Sequence, residues 1–233
     1  MVSSAFWTIP FLFILVTHVL GGSEIKLKAK FKKETVANNR IEERVEGILY
    51  LSSKNRVFLD VLKPLRQKVF LKDNVVVIYY PDENIGFEIE TKFATEHTFF
   101  NPFLHLELDK VLSKMGCKLI KSNEEDKTGY YEYEVSKKIN NIGKIVINKT
   151  QNVISRVAVL DKRKKIVSET FYQNYIQLDK IPFPKRITIT TYGLNSFSTD
   201  VIEYDDVEVN PVVPESYINF TFPKGTHVKR IKL

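Results

Sequence analysis

From Ile25 to Val209, short stretches of β-type alternation recur about every ten residues, with turn-forming residues between them. The stretches are 25–36, 42–52, 56–62, 67–72, 75–80, 85–91, 118–122, 130–136, 143–148, 153–160, 165–178, 185–192 and 199–209. Turns are predicted at Ser52-Ser53-Lys54-Asn55, Asp73-Asn74, Pro81-Asp82-Glu83-Asn84, Asn140-Asn141 and Asp161 to Lys165. There is no long linker and no internal repeat, so this spacing predicts one sheet-dominated domain. The segment Val75-Val76-Val77-Ile78-Tyr79-Tyr80 is apolar at both parities. A strand of that kind needs cover on both of its faces.

Several strands have one parity that is purely apolar. Val45, Gly47, Leu49 and Leu51 alternate with Arg44, Glu46, Ile48 and Tyr50. Val57, Leu59 and Val61 alternate with Phe58 and Asp60, and Val69 and Leu71 alternate with Lys68, Phe70 and Lys72. The first set predicts a buried face. The second is mixed but includes Ile48, Tyr50, Phe58 and Phe70, so it too calls for cover by a second layer, a partner or a ligand.

One helix is predicted, over roughly 101–115. Asn101 suits the N-cap and Pro102 the first helical position, and Gly116 can close the C-terminus. Leu104, Leu108, Val111, Leu112 and Met115 share one face, and Phe99, Phe100 and Phe103 crowd the start. Such a stripe is suited to plugging a strongly curved sheet.

Residues 1–24 contain no charge before Glu24, and Phe11 to Val16 is continuously apolar before Gly21 and Gly22. This is the pattern of a secretory signal, with 1–22 removed and 23–233 forming a single domain. An uncleaved N-terminal anchor is the alternative. Cys117 is the single cysteine, so no internal disulfide can form. The net charge of +7 is spread out. Lys26, Lys28, Lys30 and Lys32 alternate with Ile25, Leu27, Ala29 and Phe31 as a solvated strand face, and Lys162-Arg163-Lys164-Lys165 reads as a hairpin tip. No nucleic-acid-binding motif accompanies the charge, whereas contact with an anionic membrane or an acidic partner stays open.

Catalytic signatures are not found. His97, His105 and His227 lack ligand-like spacing, and there is no HExxH, GxSxG, P-loop or GxGxxG. Cys117 reads as a buried bystander thiol, and Glu124-Glu125-Asp126 as a solvated loop. Neither an enzyme, a metal site nor a cofactor is predicted.

The stretch "GILYLSSKNRVFLDVLKPLRQKVFLKDNVVVIYYP", Gly47 to Pro81, resembles the LolA family of periplasmic outer-membrane lipoprotein carriers. Gly47, Pro64, Asp73-Asn74 and Tyr79-Tyr80-Pro81 stand at the family's spacing, and the ending "INFTFPKGTHVKRI" is similar to its closing pattern. The resemblance implies an incomplete β-barrel, a strongly curved antiparallel sheet, closed by a helical lid. It places acyl chains against Leu49, Leu51, Val57, Leu59, Val61, Val69 and Leu71, with Phe99, Phe100, Phe103, Leu104, Leu108, Val111 and Leu112 in the lid. It further implies a periplasmic monomer that takes lipoprotein acyl chains from an inner-membrane lipoprotein-releasing ABC transporter and passes them to an outer-membrane receptor. A binder or sensor of other envelope lipids and a non-lipid envelope scaffold are the alternatives. Ser53 stands where the family has its lid-latching Arg, and the alternation from Ile25 to Phe31 makes the family's helix before the first strand short or absent.

Overall fold

In the computed structural model the described residues are 26–38, 40–52, 56–72, 75–90, 112–113, 116–136, 141–179, 181–194 and 196–232. They form fourteen strands. The first six are β1 (Lys26–Ala37), β2 (Arg40–Ser52), β3 (Arg56–Lys63), β4 (Gln67–Lys72), β5 (Val75–Tyr80) and β6 (Ile85–Glu90). Then come β7 (Lys118–Glu125), β8 (Thr128–Glu134), β9 (Ile142–Thr150), β10 (Val153–Asp161), β11 (Ile166–Leu178), β12 (Ile181–Tyr192) and β13 (Phe197–Val209). A one-turn helix, α1 (Glu215–Ile218), precedes β14 (His227–Lys232).

All fourteen strands belong to one sheet, ordered β14-β6-β5-β4-β3-β2-β1-β13-β12-β11-β10-β9-β8-β7. Neighbours are antiparallel hairpin partners, apart from two long-range joins. β1 pairs with β13 antiparallel, and β14 adds to β6 in parallel. The sheet is open, with β7 and β14 at its edges. Register shifts interrupt the ladders, for example between Lys28 and Lys30 and between Glu46 and Gly47. Such bulges increase twist and bend a wide sheet.

The helical lid expected to close the barrel is therefore corrected: the fold is a single open, all-β sheet. Among the described residues, helical backbone is confined to α1 and to Leu112 and Ser113. The backbone N–H of Cys117 donates to Leu112 O at 2.8 Å, and Gly116, at φ +74°, turns the chain into β7. The physical reason for the correction is that, among the described residues, β2 to β5 have cover on both faces without a helical layer. One is covered by core packing and the other by the chain's own C-terminal segment.

That segment accounts for the doubly apolar strand β5. Asn210 anchors its start: the Lys26 N–H donates to Asn210 Oδ1 at 3.1 Å and the Asn210 N–H to Lys26 O at 2.7 Å. Tyr217 then stacks on Phe58 at 4.1 Å between ring centroids and leans on Tyr50 at 5.0 Å. Its hydroxyl donates to Asp60 Oδ2 at 3.1 Å, and the Lys68 ammonium lies 5.2 Å from its ring centroid. Phe220 and Phe222 pack on Tyr79, with centroids 5.9 and 6.1 Å away. Gly86 makes this possible, because a Cβ there would stand 2.3 Å from the Phe222 ring. Asn84 fastens the far end. Its amide donates to Gly225 O at 3.1 Å, and its Oδ1 accepts from Thr226 Oγ1 at 2.9 Å and Tyr79 OH at 3.2 Å. Phe58, Phe70 and Tyr79 are all buried on this outer face.

Candidate amphiphile-binding face

The inner face is built from cross-strand rows. Leu27, Leu51, Val57, Leu71 and Val76 form one row across β1, β2, β3, β4 and β5. Ala29, Leu49, Leu59, Val69 and Ile78 form the next, and Phe31, Gly47 and Val61 lie beside it. Gly47 has no space for a larger residue, since a Cβ would lie 2.8 Å from the Phe31 ring and 2.4 Å from the Asp60 carbonyl oxygen. All seven residues assigned to acyl-chain contact thus fall on a single face. Leu49, Leu51, Val57, Leu59, Val61 and Leu71 are buried, and Val69 is half-buried.

Beyond these seven, the same apolar cluster crosses β1 to β13, β12, β11, β10, β9 and β8. It takes in Ile202, Tyr204, Phe183, Ile187, Tyr172, Val157, Ile145, Ile147 and Tyr133. The signal for this second half was present as alternation, for instance Ile145-Val146-Ile147 and Ile187-Thr188-Ile189. What the sequence could not supply was the β1–β13 pairing that joins the two halves. Of the lid residues, Leu112 is described and fully buried in this cluster; Phe99, Phe100, Phe103, Leu104, Leu108 and Val111 lie outside the described residues.

Apolar side chains that remain half-buried against the cluster include Val76, Tyr175, Ile176, Leu178, Val207 and Val209. By register they gather at one end of the sheet, where β4 passes to β5, β11 to β12, and β13 to the C-terminal segment. Towards the opposite end the inner face itself turns polar. Lys33, continuing the inner parity of Leu27, Ala29 and Phe31, is buried between Glu43 Oε2 at 3.6 Å and Asp200 Oδ1 at 3.5 Å. Thr35 Oγ1 donates to the same Asp200 oxygen at 2.6 Å. A buried ammonium held by two carboxylates is compensated, and it marks where the apolar lining stops.

The face is a region of low polarity. Burial pushes the phenols of Tyr172, Tyr204 and Tyr175 well up from the ordinary tyrosine range, and Tyr175 OH donates to Ile154 O at 2.7 Å. Burial also raises the Cys117 thiol, which keeps it protonated and unreactive. Among the described residues no group of three His, Cys, Asp or Glu side chains is placed to hold a metal ion.

An open, mainly antiparallel sheet with one continuous apolar face, clasped on its outer side, is the class of fold this chain adopts. No family model and no curated protein matches the sequence. Among solved structures it is similar to a LolA superfamily protein from Nitrosomonas europaea, at TM-score 0.56 and 10% identity, covering 82% of this chain and 89% of that chain. It is also similar to an outer membrane lipoprotein-sorting protein domain from Vibrio parahaemolyticus, at TM-score 0.58 and 12% identity, covering 82% and 88%. A DUF1329 family protein from Desulfovibrio piger gives TM-score 0.60 at 12% identity, covering 84% and 90%. The resemblance seen in the sequence is thus matched by a shared fold.

Proposed function

We propose that the protein is a carrier of acyl-chain amphiphiles in the cell envelope. Lipoprotein acyl chains are its first cargo, taken up in the periplasm from an inner-membrane lipoprotein-releasing ABC transporter and delivered towards an outer-membrane receptor. The observation that supports this reading most is the apolar inner face, with its half-buried margin at one end of the sheet. The likeness to lipoprotein-sorting and LolA superfamily structures supports the same reading at the level of fold. The work such a carrier does is binding, without chemistry. Each acyl CH2 removed from water is worth about 0.8 kcal/mol, so one long chain gains more than about 10 kcal/mol from an apolar lining.

In this reading Leu49, Leu51, Val57, Leu59, Val61, Val69 and Leu71 line the bound chain on the β2–β4 side, and Val76 and Ile176 stand where it enters. Mass spectrometry of lipids that co-purify with native protein tests the proposal. Co-purifying lipoprotein supports lipoprotein carriage, free phospholipid reassigns the cargo, and no amphiphile at all overturns the reading. Two variants localise the binding. Leu59→Glu buries an unpaired charge and is expected to abolish binding, at a cost of several kcal/mol in stability. Val76→Glu sits at the half-buried margin, so it should stay folded and still weaken binding of a fluorescent acyl probe at least tenfold. A folded Val76→Glu protein with unchanged affinity would place the acyl chain elsewhere.

A further inference from the structure

Three hairpins lie side by side in the sheet, β2–β1, β13–β12 and β11–β10, and their tips rise from one cross-strand row. That row runs Arg40, Ala37, Ser198, Thr191, Ser168 and Val159. The tips therefore form a level rim at the sheet end beyond the buried Lys33, opposite the half-buried apolar margin. Above the row the β12–β13 tip exposes three large apolar side chains, Leu194 at 94%, Phe197 at 45% and Tyr192 at 38%, and Ile41, opposite Val36 one step below the row, is exposed at 48%. One exposed leucine on a surface is ordinary; three such residues on one tip form a patch. The described tips at the other end of the sheet are polar: Asp126-Lys127, Gln151-Asn152 and Asp179.

The rim's charge is as one-sided as its hydrophobicity. The β10–β11 tip carries Lys162, Arg163, Lys164 and Lys165, and its one acid is occupied by the backbone. Asp161 Oδ1 accepts from the N–H groups of Arg163 and Lys165, each at 2.8 Å. None of these four cations forms an ion pair with a described residue. Of the four, Lys165 lines an open hollow of about 470 Å³ together with Ile166, Tyr192, Leu194 and Phe197 among others. Leu62 and Leu65, in and beside the β3–β4 tip at this end, are also exposed, while Lys63 and Arg66 there are paired with Glu46 and Asp82.

An exposed apolar tip beside a cluster of cations matches a bilayer interface with anionic headgroups. We propose that this rim docks the protein on an anionic membrane surface. Leu194 and Phe197 enter the headgroup region, and Lys162, Arg163 and Lys165 lie over the lipid phosphates. Docking of this kind is independent of what the inner face holds, and it leaves the half-buried apolar margin facing away from the bilayer.

The test uses the full chain with a reporter at the rim. The only tryptophan is Trp7, so Trp7→Phe with Leu194→Trp gives a single fluorophore on the β12–β13 tip, read independently of any attachment through residues 1–24. Vesicles of phosphatidylcholine containing phosphatidylglycerol should blue-shift its emission, and phosphatidylcholine alone should not. Adding Lys162→Gln, Arg163→Gln and Lys165→Gln should weaken partitioning about a hundredfold, roughly fivefold per charge. Circular dichroism of each variant verifies the fold. No shift with anionic vesicles, an equal shift with neutral ones, or a shift unchanged by the three substitutions would overturn the proposal. A shift caused by polyglutamate but not by vesicles would overturn it too, and would give the rim to an acidic protein.

Discussion

Tyr217 is the residue on which the outer face depends most. Its ring fills the space between Tyr50 and Phe58, and its hydroxyl reaches Asp60 across 3.1 Å. Burial, with the Asp60 carboxylate second, pushes its phenol up to about 12 from 10.0. The folded state thus holds the phenolic proton more tightly than the unfolded chain. The resulting stability is complete below pH 10 and is lost as pH rises from 10 towards 12. Tyr217→Phe keeps the stacking and removes the hydrogen bond, for a loss of about 1 kcal/mol at neutral pH. Denaturant unfolding should show the wild-type advantage over Tyr217→Phe at pH 9 and its disappearance near pH 12. The other buried tyrosines titrate alike in both proteins and cancel. A constant difference across that window would mean that folding does not hold the Tyr217 phenolic proton, by burial or by Asp60.

The clasp formed by residues 210–226 was poorly legible in the sequence, and the strands were not. Thirteen strands follow from alternation and turn residues, because the inner parity of a sheet must be apolar whatever its neighbours. The turn at Asp161 was legible because an aspartate there can bind the N–H groups two and four residues on, as Asp161 does. β12 begins at Ile181, four residues earlier than alternation suggested, because Pro182 and Pro184 read as breakers and yet pair with Gln177 and Tyr175. β14 was missed altogether. His-Val-Lys-Arg-Ile-Lys has little apolar content and pairs in parallel with β6, remote in sequence. Tyr217, Phe220 and Phe222 follow no period, so only the structure shows that Tyr217 covers β2 and β3 and that the two phenylalanines cover β5. Gly86 is the weak point of this element. Gly86→Ala drives a methyl into the Phe222 ring and should cost about 1–3 kcal/mol. Hydrogen exchange should quicken in β14 and the clasp with little change in β9–β11; uniform quickening would mean that the clasp is no separate unit.

At the scale of the whole molecule, the inner face joins two runs of strands, β1–β6 and β7–β13, through the β1–β13 ladder and one apolar cluster. The seven assigned residues were legible from parity, but they lie on β2, β3 and β4 alone, and the part of the face beyond β1 became visible only once β1 and β13 were paired. Lys33 was equally hidden, since a lysine on the inner parity reads as an error until Glu43 and Asp200 are placed beside it. A face shared by both runs has a thermodynamic consequence. An acyl chain lying on it would contact strands from both, and would bind the folded sheet but not the unfolded chain, so saturation must raise the stability of the whole molecule. At a free amphiphile concentration about a hundred times Kd the gain is about 2.7 kcal/mol. For delipidated protein, long-chain lysophospholipid below its micelle concentration should raise Tm, with the shift growing with chain length at about 0.8 kcal/mol of binding per added CH2. Val76→Glu should flatten that dependence, because the charge sits at the margin where the chain enters. A Tm shift that ignores chain length would mean that the headgroup alone is recognised and that the inner face is only a core.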